Sequence, residues 1–417
     1  MGENRSLSNG QEGNVPKLRF PGFEGKYRLT TLSKIASEIN RIDAKSTAPI
    51  MMLSAGNGFI LQSDKYSRDN AGKSLKKYIL LKKGEMAYNH GASKVKQFGC
   101  CYELREEEAR IPYVYHCFKT NPKEYTPYVA LLLNNPRIDK QLKRLVSSSA
   151  RMDGLLNISF DDYMSIKLSL PSLSEQIHIA SFIEKLEKRI SYQEQLVEAL
   201  KKYKRGLLRA YFMTNERTAH SLWEKCKLGV LCSKIGSGKT PRGGSSVYVN
   251  HGIMFLRSQN VLWGMLDISN VSYINEETNR TMLSSGVHYG DILLNITGAS
   301  IGRSCIYSLN DRANVNQHVC VIRLSQEGKE KILPNFLLQQ ILSDHIQQQV
   351  SDCQNGGSRE GLNFQQIAGF DIVLPEIEEQ RKICSMLNAF DKKMLSEECS
   401  LKALFDFRTS LMQQLFI

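Results

Sequence analysis

The chain has 417 residues, 41% of them hydrophobic and 23% charged, with a formal net charge of +13 and a pI near 9.2. That length divides into about two or three domains, and the apolar share suffices for ordinary cores. The positive balance points to a polyanionic partner, nucleic acid first. No apolar run approaches a membrane span, and the polar first residues exclude a secretory signal.

Ten cysteines are scattered without CxxC spacing, so a zinc cluster is not expected and no metal ligands are assigned. Thiols without a framework fit a reducing cytoplasm. Met1-Gly2 with Ser6 matches the start of a myristoylation signal, but no basic cluster or second anchor accompanies it.

In chain order, residues 1–23 read as a loose tail and 24–172 as a mixed domain with short β-like runs such as Tyr78–Leu81. Residues 173–215 read as a long helix. A second mixed domain follows at 220–376, with β-like runs at 291–296, 319–324 and 371–374 and one helical stretch at 334–350. A second long helix takes 377–417. Pro171 and Pro375 close β-branched runs and mark the passage from strand to helix.

The two helices are copies. Residues 171–212 recur without a gap at 375–416, and 11 of the 42 aligned positions are identical, among them Pro171, Glu175, Gln176, Leu200 and Phe212. Fainter echoes precede them. Lys83-Gly84-Glu85-Met86 answers Tyr289-Gly290-Asp291-Ile292, and Leu156-Asn157 answers Leu362-Asn363. In each helix apolar residues step by three and four along a coiled-coil seam. The first seam runs through Ile183, Leu186, Ile190, Val197, Leu200 and Leu207, with Gln193 and Lys204 as polar breaks. The second runs through Leu387, Phe390, Met394, Leu401, Leu404 and Leu411, with Glu397 and Arg408. A parallel pair would set Lys204 against Arg408. An antiparallel pair whose facing numbers sum to 601 sets Lys204 opposite Glu397 and Gln193 opposite Arg408, so the antiparallel arrangement is expected. About 38 residues at 1.5 Å each make a spacer of roughly 57 Å.

These features resemble the specificity subunit of type I restriction-modification systems. Family-like segments include Pro16–Phe23, Trp223–Gly229, Gly236–Pro241, Phe255–Val261, Gly290–Ser304, Asn314–Leu324 and the two LP..EQ helix starts at Leu170-Pro171 and Leu374-Pro375. The resemblance covers nearly the whole chain. It implies an α/β (mixed α+β) protein with an internal pseudo-twofold repeat: target-recognition domain 1 at 24–172, a central helix at 173–215, target-recognition domain 2 at 220–376 and a C-terminal helix at 377–417. Each domain is expected to read one half of a bipartite, asymmetric site in double-stranded DNA. The implied partners are two methyltransferase subunits and two restriction/translocase subunits, in the cytoplasm. S-adenosylmethionine, ATP and Mg would serve those partners, with no cofactor bound by this chain. The first domain departs from the pattern. Asn89–Lys94 stands where the second has Asn295–Arg303, and no counterpart of Asn314–Val319 is evident.

Catalytic chemistry is not assembled. Gly236–Thr240 suggests a phosphate loop, but Ser233 stands where the motif needs glycine. The Asn-Pro pairs at 121–122 and 135–136 do not continue into the element that holds a flipped base. The expectation is therefore a non-catalytic subunit. The rivals are a self-sufficient DNA methyltransferase and a coiled-coil scaffold without sequence-specific DNA binding.

Base reading needs Arg, Asn, Gln, Ser or Thr on rigid turns that reach the groove, whereas Lys and Arg alone mostly hold phosphate. In the second domain the candidates are Arg257, Ser258, Gln259, Asn260, Asn295, Thr297, Ser300, Arg303, Asn316, Gln317 and Arg359; in the first, Asn57, Asn89, His90, Ser93, Lys94, Lys96 and Arg151. Asn295, Gly298 and Gln317 also fit the plain role of satisfying turn backbone. Lys201, Lys202 and Arg205 read as a solvated or partner-facing run.

Overall fold

The computed structural model describes residues 14–65, 72–93, 96–146, 156–212, 223–241, 243–354 and 361–417. It falls into two units, one holding residues up to Gln193 with 400–417, the other Glu194–Cys399.

In the first unit, short strands rich in buried Cys, Met, Tyr and Phe form a four-stranded antiparallel sheet. Its order is Ala36–Glu38, His116–Thr120, Met86–Asn89, Cys100–Glu103. A separate ladder pairs Arg28–Thr31 with Lys167–Leu170, immediately before Pro171. Two antiparallel strand pairs, the hairpin Met51–Ser54 with Gly58–Leu61 and the longer-range Ile79–Lys82 with Glu108–Ile111, lie beyond the sheet. Their buried faces share a cluster with Ala87 and Cys117. The main core gathers Phe118, Tyr128, Leu132 and Tyr163 with Ile179, Ile183, Leu186 and Ile190 of the central helix and Leu411, Leu415 and Phe416 of the C-terminal helix.

The second unit repeats this plan. Cys232–Ser237, Val319–Leu324, Ile292–Asn295 and Ser304–Ile306 form the same antiparallel order, and Glu224–Lys227 pairs with Asp371–Leu374 ahead of Pro375. Its outer layer differs, being a five-stranded sheet in which Met254–Leu256 runs parallel to Ala313–Val315. The first unit has at that place a single parallel bridge, Ile50 to Arg110. The segment Asn314–Val319 thus does have a counterpart, near Arg110–His116, whose sequence does not betray it. The helical stretch expected at 334–350 is two helices, Pro334–Ile341 and Asp344–Gln354. The break is local chemistry: the Ser343 hydroxyl donates back to the Gln340 carbonyl at 2.6 Å, competing with helix continuation.

Two further repeats explain motifs that carry no chemistry. Gly84 and Gly290 adopt φ of 82° and 86°, which only glycine takes readily. Each turn folds the next carboxylate back onto backbone: Glu85 accepts from the Lys82 N–H and Asp291 from the His288 N–H, both at 2.7 Å. Each carboxylate also takes a two-pronged guanidinium, Arg41 on Glu85 and Arg323 on Asp291. Charge-assisted, bidentate bonds are among the stronger polar contacts.

The tail is less loose than expected. Arg19 grips Glu175 at 2.9 and 2.7 Å, Glu175 being wholly buried. The Leu18 N–H bonds the Gln414 carbonyl, so residues 14–27 are held against the unit rather than trailing from it.

The helices run Leu173–Phe212 and Ile377–Gln414. Their polar contacts place the register differently from the sum of 601. In the second unit Lys204 bonds Asp391, not Glu397, and Tyr203 stacks on Phe390; these pairs sum to 595 and 593. In the first unit Arg408 bonds Glu187 at 3.2 Å (again 595) instead of facing Gln193. Lys201 with Glu398 gives 599, and Glu397 takes Lys393 of its own helix. The antiparallel direction stands, and the pairs centre about one heptad from the expected register. A seam that repeats every seven residues is nearly unchanged by such a slide. The deciding carboxylates, Asp391 and Glu187, lie beside the seam.

Reversing one charge at the half-buried Lys204–Asp391 pair should cost between the roughly 0–1 kcal/mol of an exposed pair and the 3–5 of a buried one. Thermal melts of Lys204→Glu are expected to show that loss, and adding Asp391→Lys to recover part of it. A double variant no more stable than the single one refutes this register.

Candidate nucleic-acid interface

Loops from one end of each four-stranded sheet are knitted into a cluster. In the second unit four segments meet: 238–241, 256–261, 295–303 and 316–318. The Gly238 N–H donates to the Asn316 carbonyl, the Asn316 N–H to Leu256, the Ile296 N–H to His318, and the Leu362 N–H to Ile296. A Cβ on Gly238 would lie 1.7 Å from the Val315 carbonyl oxygen. Gly238 therefore serves a close backbone crossing, and no phosphate loop is needed to explain it.

The candidate residues divide by what their side chains do. Asn295 is fully buried and its amide donates to the Ser258 and Val261 carbonyls at 2.9 and 3.2 Å. Asn260 accepts from the Arg257 N–H and donates to the Asp267 carbonyl. Asn316 accepts from the His318 N–H. These three buried amides brace the loops from inside. Around them Arg257, Ser258, Thr297, Ser300 and Arg303 are partly exposed, and Gln259 and Gln317 are exposed. The Arg257 guanidinium lies over the Tyr248 ring, 6.0 Å from its centre. Gln317 accepts from the Thr240 hydroxyl, and Thr297 meets His318 at 2.6 Å. Thr240 and His318 thus join a polar surface that composition alone did not assign to them.

The first unit builds a related cluster. The Leu156 N–H donates to the His90 carbonyl at 2.9 Å, matching Leu362 on Ile296 with the same offset of 206 residues. Asn89 accepts from the Gly91 N–H at 2.9 Å. Ser93 and Lys96 bond each other through backbone and hydroxyl, and the Lys96 ammonium donates to the Asn134 carbonyl at 2.7 Å. Asn57 is exposed in the turn between Met51–Ser54 and Gly58–Leu61. His90 lies 5.1 Å from His116, ring centre to ring centre. Burial holds the His116 imidazole below its ordinary pKa, against the opposing pull of its bond to the Ile158 carbonyl. Lys94, Arg151 and Arg359 lie outside the described residues.

Sequence reasoning passed over Gln176 and Gln380, although both stand in the repeated LP..EQ start. Each is fully buried. The Gln176 amide accepts from the Tyr125 N–H and donates to Glu124 and to the Pro171 carbonyl, at 2.9, 2.7 and 3.1 Å. The Gln380 amide accepts from the Leu333 N–H and donates to the carbonyls of Lys331 and Pro375, at 2.9, 2.8 and 2.8 Å. Identity between the copies at a polar position was the available signal. No group of three or more metal-ligating side chains occurs among the described residues, and no helix among them is long and apolar enough to cross a membrane.

Residues 220–404 match the family model described as the type I restriction modification DNA specificity domain. The chain is 23% identical over 267 residues to the type I restriction enzyme MjaVIII specificity subunit of Methanocaldococcus jannaschii, covering 60% of this chain and 61% of that subunit. A second protein of that organism, the putative type I restriction enzyme MjaX specificity subunit, is 22% identical over 378 residues, covering 86% of this chain and 81% of that protein. Among solved structures, the type I restriction-modification S subunit from M. genitalium aligns with a TM-score of 0.60 at 14% identity, over 97% of this chain and 99% of the other. A chain from a structural study of assembly and conformational transition in the type I R-M system aligns with a TM-score of 0.55 at 16% identity, over 94% and 97%. These structural likenesses establish the fold.

Two outcomes follow from this geometry. Gly238→Ala should destabilise the second unit by about 1–3 kcal/mol, with faster hydrogen exchange at 238 and 316; unchanged exchange contradicts the crossing. In the first unit the unfolded chain binds a proton at His116 before the folded chain does, so stability should fall as pH drops below about 6.5. His116→Phe should flatten that dependence in melts between about pH 7 and pH 5, and an unaltered slope excludes His116 as its source.

Proposed function

From the membership of this chain in the family of type I restriction-modification specificity subunits, we infer that it recognises DNA without altering it. Each unit reads one half of a bipartite, asymmetric duplex site through its loop cluster. The observation that carries this reading is the repeated frame bearing two non-identical polar loop clusters, one at the corresponding end of each unit's four-stranded sheet. A repeated frame holds two readers alike, and different loops give them different letters.

Arg257, Ser258, Gln259, Thr297, Ser300, Arg303 and Gln317 contact DNA in the second unit, with Arg359 from outside the described residues. Asn260, Asn295 and Asn316 hold the turns that aim them. In the first unit Asn57, Asn89, His90, Ser93 and Lys96 make up the surface, joined by Lys94 and Arg151. The net charge of +13 supplies attraction to phosphate whatever the sequence. The long helices, paired within each unit through Lys204 with Asp391 and Arg408 with Glu187, set the distance between half-sites.

The partners are two methyltransferase subunits and two restriction/translocase subunits, in the cytoplasm. S-adenosylmethionine is consumed by the methyltransferase, and ATP with Mg by the restriction subunit. This chain supplies the address alone.

Purified chain should transfer no labelled methyl group, and deleting its gene should erase one bipartite methylation pattern from the host genome. Transfer by the chain alone overturns the reading. Arg303→Ala should weaken binding by about 1–3 kcal/mol, selectively at one base pair if it reads a base and evenly if it holds phosphate. Affinity should fall on the order of a thousandfold between about 50 and 200 mM salt. A flat salt response assigns the positive charge to another partner.

A further inference from the structure

We propose that Gln176 and Gln380 are positioning residues that lock each reading domain to its long helix and so enforce the permitted spacing between half-sites. This rests on the recognition reading above.

Each amide is fully buried and makes three bonds, one accepted and two donated. A buried amide left partly unbonded carries a heavy desolvation penalty, so such a group tolerates few alternative geometries. The three bonds tie three pieces together in each unit. One partner is the carbonyl of the proline that ends the last strand of the domain, Pro171 or Pro375. Another is the backbone N–H that precedes a helix of the domain, Tyr125 before Thr126–Leu133 or Leu333 before Pro334–Ile341. The third is Glu124 or the Lys331 carbonyl. The glutamine itself sits in the first turn of the long helix.

A lever argument follows. A domain hinged only by the chain at Pro171 or Pro375 could swing about the start of its helix, carrying its loop cluster along the duplex. Fastening a second point, on the helix cap at Tyr125 or Leu333, removes that rotation. The same donor and acceptor pattern occurs in both units although two of the three partners differ in residue type. Shared geometry with different partners indicates a requirement on orientation. In the first unit Glu124 extends the joint to Arg28 of the opening strand.

The test uses the full-length chain in its host, with methylated bases mapped across the genome for wild type, Gln176→Leu and Gln380→Leu. The quantity read is the ratio of methylation at sites whose spacer is one base pair longer or shorter to methylation at sites of the normal spacer. Each variant is expected to raise that ratio by about tenfold, the scale of one or two lost hydrogen bonds, while the letters of both half-sites stay the same. Methylation lowered evenly at every spacer, with the ratio unchanged, would mean the amides only stabilise the fold and overturns the proposal. If Gln176→Leu does not accumulate, Glu124→Ala, which removes one of the three bonds, is read in its place and should raise the ratio by a smaller factor; no rise again overturns it. Removal of the gene leaving the host pattern intact rejects the recognition reading, and this proposal with it.

Discussion

In each unit one amide side chain with no access to water holds the design together. Gln176 and Gln380 join strand end, helix cap and long helix through bonds that leave no donor or acceptor of the amide idle. Apolar clusters in the cores, such as Leu208 and Phe212 with Phe336 and Leu387 in the second unit, supply most of the burial energy. Those contacts are non-directional, however, and a greasy interface can rotate. The amides supply the direction.

Built on that joint, the two units share what must be rigid and differ where variety is tolerated. The four-stranded order, the glycine turn that folds a carboxylate onto backbone, and the arginine that grips this carboxylate recur in both. The outer layers do not recur: two strand pairs and a lone parallel bridge in one, a five-stranded sheet in the other. Loops that bear function on a conserved scaffold are a common division of labour, because the scaffold carries the entropy cost of ordering them.

The excess of basic residues is not all available to a partner. Arg19, Arg41 and Arg323 are committed to buried or half-buried carboxylates, and Arg28 to Glu124. Lys96 and Lys204 are engaged as well. Under the proposed reading, attraction to phosphate falls to the remaining cations, Arg257 and Arg303 among them.

Much of this was legible in residue order. Duplication of 42 residues at constant offset, a three-four apolar step and the prolines at 171 and 375 imposed two long antiparallel helices. These are local and periodic properties, which one-dimensional patterns carry well. Three things were decided only in three dimensions. The helix register slid by about one heptad, because a seven-residue period is blind to its own multiples and the deciding carboxylates, Asp391 and Glu187, lie off the seam. The division of asparagines into braces (Asn260, Asn295, Asn316) and exposed groups stayed open, with a turn-bracing role legible beforehand at Asn295 alone, since one residue type suits a turn and a groove equally. Finally, the counterpart of Asn314–Val319 in the first unit survives as the Ile50–Arg110 bridge without a shared sequence. Backbone pairing needs no particular side chains, so a strand's place in a fold can persist after its sequence has changed.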